Sequence, residues 1–144
     1  MKTRLISQTH GDRTFALIFD IGDEVMSNLT RFAEQNKLAG SHFTAIGAFS
    51  DAVLAWFDWE TREYQKIPLR EQVEVLSLIG DIAEADGKPK VHAHVVVGKR
   101  NGTAHGGHLM EAHVRPTLEV ILTEAPTHLR RKLDPKSGLP LISV

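Results

Sequence analysis

Apolar and polar residues alternate along most of this chain, and the first half departs from that period for one clear helical stretch. Thr3 to Ser7 reads as a first strand and Arg13 to Ile21 (RTFALIFDI) as a second, with His10, Gly11 and Asp12 supplying the turn. Gly22 and Asp23 then introduce a helix, with Asp23 placed to cap it and Val25, Leu29, Phe32 and Ala33 repeating at helical spacing. Its other face, carrying Arg31, Glu34 and Gln35, is solvated, and Met26 and Phe32 are read as plain core packing.

From Gly40 the pattern becomes a series of short strands: HFTAIGAF, AVLAWFDW, REYQKIPL and QVEVLSLIGDIA. Gly47, between small and aromatic residues, marks a bend or a close backbone approach. Trp56 and Asp58 fall on one face of their strand, Phe57 and Trp59 on the other. Aromatics on both faces predict a strand covered on both sides, by core and helix or by core and another subunit. Core packing alone accounts for either tryptophan taken singly.

The polar loop Glu84 to Lys90 delivers the chain into a β-branched strand, Val91 to Gly98. Further on, Pro116 interrupts pairing, and Thr117 to Thr123 (TLEVILT) forms a last long strand. The pattern then predicts a short helix at Ala125 to Leu133, with Pro126 in its first turn and Arg130, Arg131 and Lys132 near its end. Asp134 and Pro135 stop it, and the tail LPLISV is apolar for an exposed end.

Composition narrows the function classes. At 144 residues the chain is most simply one domain, residues 1–144, able to bury about two-thirds of its unfolded surface. It has no cysteine, which removes disulfides, thiolate zinc sites and thiol catalysis. No apolar run approaches membrane-spanning length and the start, MKTRLISQTHGDR, lacks the apolar core of a signal peptide, so the cytoplasm is expected and a membrane is not. Seventeen basic against eighteen acidic residues give a net charge of -1, which argues against holding nucleic acid by bulk electrostatics.

The chemistry concentrates between His92 and His113, which holds five of the eight histidines. His92 and His94, at i and i+2 on a strand, project from one face about 6.6 Å apart at the backbone, close enough to converge on one ion. Arg100, Asn101 and Gly102 suit a three-residue hairpin loop with Gly102 left-handed, a register that sets Lys99 against Thr103 and His108 opposite His94. A two-residue turn at Asn101 and Gly102 would instead bring His105 and His113 to that side, unless a bulge at Gly106 and Gly107 restored His108. Three neutral imidazoles suit zinc or another late first-row metal and leave a fourth position open. Two carboxylates stand out beside them: Glu74, among Val73, Val75 and Leu76, and Glu119, beside Val120. Each is either solvent-facing or held near a site.

The segment VHAHVVVGKRNGTAHGGHLMEAHV resembles the His-x-His strand, turn and Gly-Gly-His of the PPC domain family, shared by plants and prokaryotes and accompanied in plants by AT-hook motifs in nuclear proteins. FDIGDEVMSNLTRFAEQNKL, IGAFSDAVLAWFD and VEVLSLIGDIA extend the resemblance over roughly Leu5 to Glu124. It implies an α+β fold, an antiparallel sheet with one principal packed helix, assembled as a homotrimer, and a divalent metal, zinc in the first instance, on His92, His94 and His108. Where the plant motif carries Gly-Arg-Phe, this chain has Glu71, Gln72 and Val73, and no AT-hook core occurs in it. Minor-groove binding of the plant kind is therefore not expected. The leading expectation is a trimeric binding or regulatory module with weak DNA association and a histidine metal site. The alternative is a metal-dependent enzyme acting on a small molecule, with Glu74 or Glu119 as base.

Overall fold

A computed structural model describes all 144 residues, Met1–Val144. Nine strands and one helix follow in the order β1 (Lys2–Thr9), β2 (Asp12–Phe19), α1 (Val25–Asn36), β3 (Gly40–Asp58), β4 (Glu63–Leu69), β5 (Val73–Ala85), β6 (Lys88–Gly98), β7 (Ala104–Glu124), β8 (Arg130–Leu133) and β9 (Pro140–Ser143). The strands form a single, mostly antiparallel sheet. β3 pairs with β7 and β5, and β6 pairs with both β5 and β7, so these four close on themselves. β1 and β2 extend the sheet beyond β7, and β4 lies on the far half of β3. The α+β expectation holds in this form. The helix is the only one, and no helix is long and apolar enough to cross a membrane.

Alternation fixes which face is core. Val91, Ala93, Val95 and Val97 of β6 and Leu118, Val120 and Leu122 of β7 point inward and are buried, joined by Leu17, Phe19, Phe43 and Leu78. The Val25, Leu29, Phe32 and Ala33 stripe of α1 is buried as its spacing predicts, with Phe15 meeting Phe32 edge-on at 5.2 Å. The cap, however, is Glu24 and not Asp23. Glu24 accepts from the backbone N–H groups of Met26 and Ser27, at 3.0 and 2.6 Å, while Asp23 turns back to the N–H of Asp20 and the chain's amino terminus. The longer side chain reaches the helix from an extended backbone, leaving the shorter one free to tie down the N-terminus.

Two pairs of expected strands are continuous. HFTAIGAF and AVLAWFDW form one strand, β3, bent at Gly47, where a Cβ would lie 2.2 Å from the Thr117 carbonyl oxygen. β7 likewise runs through Pro116, although its pairing with β3 shifts register there. The Trp-bearing end of β3 is not covered on both sides within the chain: Trp56 and Trp59 are exposed, because only the β4 hairpin flanks that end.

The short helix expected at Ala125 to Leu133 does not form. Those residues serve an edge instead: the Leu129 N–H donates to Ala39 and its carbonyl accepts from Glu84, and β8 then pairs with β9. Asp134 opens the β8–β9 turn rather than stopping a helix, its carboxylate accepting from the backbone and hydroxyl of Ser137. Backbone pairing to an available sheet edge has outweighed a local helical pattern only two turns long. The apolar tail is strand β9.

Candidate metal centre

The turn between β6 and β7 decides the site. Lys99 N–H donates to the Thr103 carbonyl at 2.9 Å, Gly102 takes φ 81°, and Gly98 pairs with Ala104, so the loop is Arg100, Asn101 and Gly102. In that register His94 lies directly opposite His108. His105 is paired with Val97 and His113 with Asp51, so the shorter-turn alternative is absent. The Gly-Gly pair answers a steric need. A Cβ on Gly107 would lie 2.6 Å from the Ala55 carbonyl oxygen, so only glycine lets β3 pack this close beside His108.

The three imidazoles meet at one point. Nε2 of His92 and Nε2 of His94 are 3.2 Å apart, and one ring nitrogen from each of the three histidines falls within 4.8 Å of the others. Two nitrogens bound tetrahedrally to zinc at about 2.0–2.1 Å sit roughly 3.3 Å apart, so the His92–His94 spacing is that of two ligands on one ion. The rings of His92 and His108 stack at 5.1 Å and Tyr64 lies against His108 at 4.9 Å, which holds the cluster in place.

Electrostatics keep these rings available. Burial, then the charges of His92, His94 and Lys90, pushes the His108 pKa down to about 4, and burial followed by the neighbouring His92 lowers that of His94. Both are therefore neutral near pH 7 with lone pairs free. The buried Nδ1 of His108 has no hydrogen-bond partner in the protein. The donor set thus fits a divalent ion, and the group can hold one.

Behind His92 stands a residue that the sequence pattern did not single out. Asp81 pairs with His92 across the β5–β6 ladder and places Oδ2 3.6 Å from the ring Nδ1, while its other oxygen accepts from Arg131 Nη2. Burial opposes its ionisation, but the His92 imidazole and the Arg131 guanidinium outweigh that and hold its carboxyl below the usual range. Carboxylates placed this way orient a metal-binding histidine and raise its basicity. The signal was available: Asp86-Gly87 is a two-residue hairpin turn, and counting back from Ala85 opposite Lys88 reaches Asp81 opposite His92.

The two candidate bases are elsewhere. Glu74 pairs with Gly98, whereas the residue opposite His94 is Ile79. Glu119 pairs with Ile46 and Ile18. Together they line a separate hollow with Leu76 and Thr117 that includes none of the three histidines. Both lie well along their strands from the residues beside the histidines, a separation that alternation within a strand does not reveal.

With this geometry in place, the chain belongs to the Plants and Prokaryotes Conserved (PCC) domain family, whose pattern matches residues 6–126. It is similar to a plant- and prokaryote-conserved (PPC) protein of Pyrococcus horikoshii, at 33% identity and TM-score 0.85 over 92% of each chain. A metal-containing protein of Archaeoglobus fulgidus matches at 32% identity and TM-score 0.85 over 100% of this chain and 99% of that one. A candidate DNA-binding protein of Ralstonia eutropha JMP134 matches at 28% and 0.84 over 90% of each. The bifunctional protein GlmU of Synechococcus sp. (strain JA-3-3Ab) is 33% identical over 129 residues, 88% of this chain, which spans only 20% of that protein's length.

Proposed function

We propose that residues 1–144 form a single PPC domain that acts as a metal-binding regulatory module, holding a divalent ion, zinc by preference, on His92, His94 and His108. The observation that carries this is the convergence of three histidine nitrogens, two of them at tetrahedral-edge spacing, with Asp81 behind one ring. A bound ion would supply Lewis acidity and a fourth coordination position; the chain's residues orient it and keep two of the imidazoles neutral. The metal-containing Archaeoglobus relative supports the same reading. Titration with zinc against a chelator of known affinity tests it: tight one-to-one binding supports it, and no binding at micromolar zinc contradicts it.

Assembly as a homotrimer belongs to this proposal. Ile46, Leu76, Ile79 and Ile121 are all exposed on one face of the sheet, and Ile121, Thr44, Ile79 and His94 succeed one another across it in register. An apolar patch of this kind, ending at the histidines, suits burial against copies of the chain. Solution mass measured by light scattering decides it, a monomer counting against the trimer.

The Ralstonia relative favours DNA as a partner. With a net charge of -1, any such contact is weak and local. A duplex shift that fades steeply with salt supports it; no shift even at low salt removes it. The enzyme alternative loses its two proposed bases, since neither Glu74 nor Glu119 shares a cavity with the histidines.

A further inference from the structure

A cavity of about 380 Å³ opens between the histidines and the β8–β9 hairpin, a size in the range of small-molecule sites. His92 and His108 form one end of it. Leu109, Leu139 and Leu141 give it an apolar wall, and Lys90 and Arg131 supply its cations.

Arg131 makes this more than a surface hollow. Its side chain is 6% exposed, so the guanidinium, always charged, is removed from water. Nη1 donates to the Pro140 carbonyl at 3.0 Å and Nη2 to Asp81. Of its other three donors, Nε–H is buried with no acceptor in the protein. A buried cationic donor left unpaired is costly, and the group that satisfies it best is an anion that pairs with it directly. Asp81 offsets one positive charge, leaving Lys90 uncompensated by any carboxylate among the residues that line the cavity.

We propose that this cavity binds a small amphipathic organic carboxylate, its carboxylate beside Arg131 and Lys90 and its apolar body against Leu109, Leu139 and Leu141. The apolar wall selects against a bare inorganic anion, and the two cations select against a neutral ligand.

The test uses the full chain, isotope-labelled so that the Arg131 Nε–H resonance is followed by NMR during titration with phenylacetate, phenylacetamide and inorganic phosphate. Saturable movement of that resonance at one phenylacetate per protomer is expected, with the amide and phosphate each weaker by about tenfold or more. Arg131→Gln removes the response but also loosens the hairpin. Lys90→Gln lies outside the hairpin, and it should weaken phenylacetate several-fold with the fold unchanged. No saturable movement at millimolar phenylacetate overturns the proposal. So does equal binding of the amide or equal binding of phosphate.

Discussion

Asp81 faces His92 across the β5–β6 ladder, with its Oδ2 3.6 Å from the ring Nδ1, and the same carboxylate holds Arg131 of the C-terminal hairpin. One side chain therefore links the metal centre to the edge of the fold. Asp81→Asn keeps the shape but weakens both partners. Zinc affinity should fall by about 10- to 100-fold, as when the supporting partner of a metal-binding histidine is lost, while far-UV circular dichroism stays unchanged. Unaltered affinity in chelator competition would show that Asp81 serves the hairpin alone.

Gly107 fixes how closely β3 approaches His108. A methyl group there would meet the Ala55 carbonyl at 2.6 Å, so Gly107→Ala must push the strands apart. A loss of about 1–3 kcal/mol in urea unfolding is expected, with weaker zinc binding because His108 moves with its strand. Wild-type stability in this variant would mean that the contact is readily relieved.

Glu124, buried, accepts from the backbone N–H groups of Ala39 and Gly40 and from the Ser41 hydroxyl, joining the end of β7 to the start of β3. Glu124→Ala leaves these donors unpaired and should cost about 3 kcal/mol or more. Zinc affinity of the protein that remains folded should be unchanged, because this corner lies away from the histidines.

His113 and Asp51 give stability a pH dependence apart from the metal centre. The hydrogen bond to Asp51, at 2.8 Å, raises the His113 pKa above its ordinary 6.5, and the same bond lowers that of Asp51 below 3.8. A raised histidine pKa stabilises fully below 6.5, and that contribution is lost as pH rises through the folded value. A depressed carboxyl pKa stabilises above 3.8 and is lost as pH falls through the folded value. The Tm difference between wild type and His113→Gln should therefore be largest between pH 4 and 6.5, shrinking above and below. Both side chains are more than a third exposed, so the effect should be small and salt-sensitive. A difference that grows steadily to pH 9 would contradict this assignment.

Local chemistry made much of this legible. The β6–β7 register was one of two that Asn101 and Gly102 allowed, and the three-residue loop that formed is the one that sets His94 against His108. The α1 stripe followed from spacing. What escaped was set by partners remote in sequence. Residues 125–133 become loop and strand because Ala39 and Glu84 offer them backbone groups, and the cap passes to Glu24 because its longer side chain reaches the Met26 and Ser27 N–H groups. Glu74 and Glu119 missed the site because each lies far along its strand from the histidines, Glu74 opposite Gly98 and Glu119 opposite Ile46 and Ile18, and periodicity within one strand does not say which neighbours it faces. Asp81 could have been reached by counting from the Asp86-Gly87 turn.

Whether His92, His94 and His108 form one metal centre is decided by the zinc content of purified protein after equilibration with zinc and removal of excess. Wild type, His94→Ala and His108→Ala are compared, with solution mass recorded on the same samples. About one zinc per protomer is expected in wild type, little in either variant, and a trimeric mass in all three. Metal-free wild type, or zinc retained equally by both variants, would contradict a centre built on these three histidines.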